Sequence, residues 1–122
     1  MENLESLEKA INSELTTKIL SSRIKHDQIN ISIEDNNLTE VMIFLKTHSS
    51  TKFRQLIDIT AVDYPEKDKR FKMVYLLLSH EKNSRIKIEF EIKEGEILSS
   101  LTSIFPSANW MEREVFDMYG VE

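Results

Sequence analysis

Leu4, Leu7, Ile11 and Leu15 recur at three- and four-residue steps with Glu and Lys between them, so the chain opens with an amphipathic helix. The period then changes. Ile29, Ile31 and Ile33 alternate with polar residues, which is strand spacing, and Ile19–Lys25 is the expected hairpin partner, turning at His26-Asp27. Leu38, Val41, Met42 and Leu45 return to helical spacing after Asp35-Asn36-Asn37, with Asn37 as N-cap. Three strands are predicted next. Residues Leu56–Val62 put Ile57, Ile59 and Ala61 on one face. Met73–Leu78 is apolar on both faces, the mark of a central strand. From Arg85 onward, Ile86, Ile88, Phe90 and Ile92 alternate with Lys87, Glu89, Glu91 and Lys93, which predicts one covered face and one wet face. After Gly95, residues Leu98, Leu101, Ile104 and Phe105 predict a short helix ended by Pro106.

The resulting order is α-β-β-α-β-β-β-α, with a further helix-like segment at the end. It predicts an α+β two-layer sandwich whose helices cover one face of a largely antiparallel or mixed sheet. At 122 residues the chain is expected to be one domain, 1–122, with 40% hydrophobic and 30% charged residues, as in soluble globular proteins. Sixteen basic against twenty-one acidic residues give a net charge of −5, which argues against nucleic-acid binding through a general basic footprint. No direct membrane insertion is expected, because the longest apolar run, Met73–Leu78, is too short to span a bilayer. The sequence contains no cysteine, so disulfides and thiolate chemistry are excluded. The acidic start, Met1-Glu2-Asn3-Leu4-Glu5, does not read as a signal or transit peptide.

The segment from Ala108 to Gly120 carries the least ordinary chemistry. If Trp110–Tyr119 is helical, Trp110, Arg113, Glu114 and Asp117 share one stripe, while Met111, Val115 and Met118 line another that can face the core. Asn109 and Glu112 have capping-box spacing, with Ser107 as the competing N-cap. Three readings fit the polar stripe. It can be a solvated face with an Arg113–Asp117 pair, worth only about 0.2–0.5 kcal/mol when exposed. It can be a docking face, since Trp and Arg are enriched where partners anchor. Or Glu112, Glu114 and Asp117 can act as acid/base groups or hard-metal ligands. A second cluster, Asp58 to Pro65, combines two acids with a tyrosine, but fits a strand ending in a turn with Asp63 bonded to local backbone. His26, His48 and His80 are far apart, and no glycine-rich phosphate loop or nucleophile elbow is present. Spacing alone defines no catalytic site and no metal site.

Taken together, three stretches resemble the C subunit of proton-pumping NADH:quinone oxidoreductase, respiratory complex I. They are Asp58-Ile59-Thr60-Ala61-Val62-Asp63-Tyr64-Pro65, Arg70–Ser79, and Ala108-Asn109-Trp110 running into Glu112-Arg113-Glu114-Val115-Phe116-Asp117-Met118-Tyr119-Gly120. The resemblance covers nearly the whole chain, and Glu-Arg-Glu-x-x-Asp is its most specific element. In that family the signature continues into Gly-His-Pro-Asp-Leu-Arg-Arg and a long tail, which have no counterpart after Val121-Glu122, so the resemblance implies a truncated member whose last turn frays.

The resemblance implies a non-catalytic scaffold that braces the quinone-reducing D subunit in the electron-transfer arm. FMN, iron–sulfur clusters and quinone would be carried by partner subunits and none by this chain. It also implies partnership with that quinone-reducing subunit and with neighbouring iron–sulfur subunits, on the cytoplasmic side of the bacterial inner membrane or the mitochondrial matrix side. Trp110, Glu112, Arg113, Glu114 and Asp117 would form the subunit interface. Three alternatives stand beside it: the homologous scaffold of a membrane-bound hydrogenase, a small carboxylate-dependent hydrolase built on Glu112, Glu114 and Asp117, and a stand-alone adaptor with partners unrelated to respiration.

Overall fold

A computed structural model describes residues 4–15, 17–25, 27–48, 51–80, 84–93 and 100–119, with the side chains of the last helix described as far as Val115. Leu7 and Ile11 are buried on the inner face of α1 (Leu4–Glu14). The first hairpin pairs β1 (Ile19–Lys25) with β2 (Gln28–Ile33), and Lys25 opposite Gln28 leaves a two-residue turn. Asp27 takes φ 60° there, a left-handed conformation that Asp tolerates and this kind of turn requires. A 3-10 turn over Asp35–Asn37 leads into α2 (Leu38–Thr47). Asn37 does occupy the N-cap position, but its side chain makes no capping bond; its backbone, at φ −96° and ψ 1°, continues the preceding turn and departs from the extended geometry that aims an N-cap side chain at the first helical amides.

The second half contributes β3 (Gln55–Asp63), β4 (Phe71–Ser79), β5 (Ser84–Ile92) and α3 (Ala108–Tyr119). The five strands lie in the order β1-β2-β5-β4-β3, antiparallel throughout except for the parallel β2–β5 pair. The element order and the mixed sheet are those expected from the sequence. Clean alternation in β5 is borne out: Ile86, Ile88, Phe90 and Ile92 are at most 3% exposed, while Lys87, Glu89 and Glu91 face the other way. The described helices cover the first of these faces. Their apolar residues join the inward side of the sheet in one cluster, with Tyr75 against Phe90 at 5.5 Å between ring centroids.

Three expectations shift in detail. Met73–Leu78 does form an interior strand, β4, paired on both edges beside the middle strand β5, but its second apolar row (Val74, Leu76, Leu78) is only half-buried on the uncovered face. In β3 the register slips between Leu56 and Asp58, so Ile57 is the extra residue of a bulge. The buried set is therefore Leu56, Ile59 and Ala61, and Ile57 is only half-buried. The short helix expected over Leu98–Phe105 lies partly outside the described residues. Its described part forms turns, in which the Phe105 and Ile104 amides donate to the Leu101 carbonyl at 2.7 and 2.9 Å. Pro106 follows, and the residue before a proline is disfavoured in helical geometry, so one turn suffices to bury Leu101, Ile104 and Phe105.

The end of α2 shows how the core tolerates polar groups. Thr51 is fully buried, and its hydroxyl donates to the Leu45 carbonyl at 2.9 Å, with the Phe44 and His48 carbonyls at 3.3 Å. The Phe53 amide donates to the same Leu45 carbonyl at 2.7 Å. The final carbonyls of the helix, which have no partner within it, are thus satisfied by the segment that follows. Thr51→Val keeps the shape and removes the donor, and is expected to lower unfolding free energy by about 0.5–1.5 kcal/mol. Equal stability of wild type and the valine variant in a denaturant titration would contradict the assignment.

Candidate docking face on the last helix

The position of α3 is set by bonds on both sides of its start. The Ser107 hydroxyl donates to the Leu56 carbonyl of β3 at 3.0 Å, and the Ala108 amide donates to the Phe105 carbonyl at 2.9 Å. Ala108 is fully buried, Val115 is 6% exposed and Met111 packs against the core. The Glu112 carboxylate is turned inward as well. It accepts the Ser100 hydroxyl at 2.7 Å and the Leu101 amide at 2.8 Å, fixing the segment that leads to the helix. Glu112 therefore does not close a capping box with Asn109, which lies inside the first turn of the helix. Burial, with the Glu112 charge adding to it, pushes the Tyr75 hydroxyl well above its ordinary range, so the phenol stays neutral.

The opposite side of α3 is bare. Trp110 is 66% exposed, the highest value of any large hydrophobic residue described, and Arg113 and Glu114 are exposed beside it at helical spacing. Of the five residues expected at an interface, the structure brings Trp110, Arg113 and Glu114 onto one outward stripe. It places Glu112 on the inward side, bonded within the domain. The side chain of Asp117 lies outside the described residues. The inward role of Glu112 was readable in the spacing Ala108, Met111, Glu112, Val115, which is i, i+3, i+4, i+7, but an acid in that register reads as polar until its partners in the 100–101 segment are known.

The acids of the second cluster are separated by the strand that holds them. Asp58 is on the uncovered face, where its carboxylate accepts the Thr60 hydroxyl at 3.2 Å. Asp63 bonds a side chain instead of local backbone: Arg70 donates from Nε at 2.7 Å and from Nη2 at 2.9 Å, a two-point clamp across the β3–β4 loop. The Tyr64 amide, donating to the Arg70 carbonyl at 2.7 Å, closes the same loop. His48 stacks near Phe44 and His80 bonds Gln55, while His26 lies outside the described residues. Among the described residues no group of three or more His, Asp or Glu could hold a metal ion, and no helix is long and apolar enough to cross a membrane.

The class is that of an α+β two-layer domain. The same fold occurs in a chain from the structure of a membrane-bound sulfane sulfur reductase, an archaeal respiratory membrane complex, with TM-score 0.85 and 20% identity over 97% of this chain and 68% of that one. Sequence narrows the class. Residues 31–122 match the family of the respiratory-chain NADH dehydrogenase 30 Kd subunit, and the chain belongs to that family. It is 42% identical to the NADH-quinone oxidoreductase C subunit of Ruegeria sp. strain TM1040 over 99% of its length, and 48% identical to that of Dinoroseobacter shibae over 84%. The corresponding protein of Rhodospirillum rubrum is 36% identical over 99% of the chain. The chain spans between 48% and 60% of the length of these relatives.

Two outcomes follow from the geometry. Glu112→Ala removes a charged acceptor from two hydrogen bonds and is expected to cost about 1.5–3 kcal/mol of stability, with faster amide hydrogen exchange at Leu101. Unchanged exchange there would detach Glu112 from the 100–101 segment. The hydrogen bonds from Arg70 hold the Asp63 carboxyl below its ordinary value of 3.8, outweighing slight desolvation, with the Arg70 charge adding to the effect. A depressed carboxyl contributes stability above its unfolded pKa and loses it as pH falls through the folded one. The stability–pH curve of Asp63→Asn should therefore lack the part of the acid decline that wild type shows below about pH 3.8.

Proposed function

We propose that this chain is a non-catalytic scaffold in the electron-transfer arm of a proton-translocating NADH:quinone oxidoreductase, bracing the quinone-reducing subunit. The observation that carries this is the exposed Trp110, held with Arg113 and Glu114 on the outer stripe of a helix whose inner side is firmly anchored. A large aromatic flanked by an arginine is the composition of a binding hot spot. FMN, iron–sulfur clusters and quinone belong, in this reading, to neighbouring subunits, and the chain sits peripherally on the cytoplasmic side of the bacterial inner membrane. Glu112 serves indirectly, by fixing the angle at which the helix presents its outer residues. Asp117 continues the stripe by spacing.

The family membership supports an assembly subunit, and the outward placement of Trp110 and Arg113 supports this face as the contact. Family membership and the pairing of Glu112 with Ser100 and Leu101 both weigh against a carboxylate-dependent hydrolase. Arg113→Ala touches no described partner, so its effect on the stability of the chain should stay within about 0.5 kcal/mol. In a tagged pull-down from native membranes, recovery of the quinone-reducing subunit should nevertheless fall severalfold for Arg113→Ala and for Trp110→Ala. A parallel loss of thermal stability and recovery would make the stripe structural. Recovery of hydrogenase subunits in place of respiratory ones would move the scaffold to that relative.

A further inference from the structure

The face of the sheet that no described helix covers has an ordered charge pattern. Strand register sets Arg23 beside Asn30 and Asn30 beside Lys87, with Lys25 and Arg85 one step further along β1 and β5. Strands lie about 4.8 Å apart and alternate residues about 6.8 Å apart, so these four cations fall within one corner roughly 10 Å wide. None of them forms an ion pair with a described carboxylate, whereas Lys72 binds Glu89 and Lys67 binds Glu91, each at 2.5 Å, elsewhere on the same face. The corner is positive in a chain whose net charge is −5. Beside it runs the half-buried apolar row Val74, Leu76 and Leu78.

The same face is hollowed. A cavity of about 330 Å³ opens between Leu20 and Tyr64, and one of about 380 Å³ beside it reaches Arg23 and Asn30; they share Ser32, Lys72 and Glu89. Leu20 is the extra residue where β1 slips register against β2, which leaves it 62% exposed, and Tyr64 is 40% exposed. The trough thus has an apolar, aromatic end and a cationic end. Its floor is already neutralised by the Lys72–Glu89 pair, which disfavours a small ion and suits a longer occupant. We propose that this trough is a second docking surface for an acidic amphipathic segment of a neighbouring protein subunit. Carboxylates of that segment meet Arg23, Lys25, Arg85 and Lys87, and one apolar side chain enters between Leu20 and Tyr64. The inference rests on the reading of this chain as one subunit of an assembly and adds a partner chemistry and a place distinct from α3.

A photo-crosslinking residue placed at Lys87 of the tagged chain, expressed in native membranes, tests it after purification of the assembly. Crosslinked peptides should come from a subunit segment rich in Asp and Glu with apolar residues at regular spacing. The double reversal Arg23→Glu and Lys87→Glu should lower that crosslinked yield at least about tenfold, the effect of like charges facing each other, with circular dichroism and melting unchanged. For this reversal the crosslinking residue moves to the neighbouring Arg85. Crosslinks to lipid, to nucleic acid or to a basic segment would overturn the proposal, as would an assembled chain that gives no crosslink. A chain that co-purifies with no other subunit would overturn the assembly reading and this inference with it. Loss of folding in the double variant would be met by the milder Arg23→Gln and Lys87→Gln pair, for which an unaltered crosslinked yield also overturns the proposal.

Discussion

Among the described residues only one side of this sheet is covered, and the alternation in β5 favours that arrangement. β5 lies at the centre of the sheet, so its inward row of Ile86, Ile88, Phe90 and Ile92 meets apolar residues from both flanks, while its outward row of Lys87, Glu89 and Glu91 cannot be buried under a helix. A one-residue slip would exchange these rows and expose the whole apolar set, so the register is strongly fixed. The described helices all pack on that apolar face. The parallel β2–β5 pair needs a crossover, which the chain makes through α2 and the β3–β4 hairpin before returning beside β2 with its apolar row on the covered side.

The periodicities that reflect this constraint were legible in the sequence because they are binary and local. Ile29, Ile31 and Ile33 in β2, the row in β5 and the helical stripe of α2 each carry the information for their own orientation. Legibility failed where a single residue breaks the period. Ile57 reads as the natural partner of Ile59, yet a bulge placed there buries Leu56 instead, and nothing local in that stretch announces it. Met73–Leu78 reads correctly as an interior strand, but its two apolar faces suggest burial on both sides, whereas one of them is half-exposed. The partners of acids were hidden for a different reason. Asp63 with Arg70 and Glu112 with Ser100 are contacts across a loop and a turn, seven and twelve residues apart, which no strand or helix period encodes.

Placement of charge divides the polar groups into those that hold the domain and those left outward. The Asp63–Arg70 clamp and Glu112 bond within the domain, whereas Arg113, Glu114, Arg23 and Lys25 face solvent. The signature Glu112-Arg113-Glu114 therefore contains both kinds in three consecutive residues. Its first member sets the helix and the next two point away from it. A run that reads as one motif in sequence is split by the 100° step of the helix into two tasks.

That division bears on how strongly such a domain can be held in an assembly. Burying the exposed part of Trp110 would contribute on the order of 3 kcal/mol, taking about 25 cal/mol per Å² over the roughly 130 Å² that remains exposed on a side chain of this size. Association costs about 4–15 kcal/mol in lost freedom, so one aromatic anchor on α3 cannot by itself hold the domain. A second contact lowers that barrier, because once one surface is engaged the other meets its partner at a high effective concentration. The helix stripe lies on the covered side of the sheet and the cationic trough on the uncovered side. Two modest surfaces on opposite sides of a rigid sheet would fix orientation as well as position, as the proposed bracing role requires, whereas a single hot spot would leave the domain free to pivot.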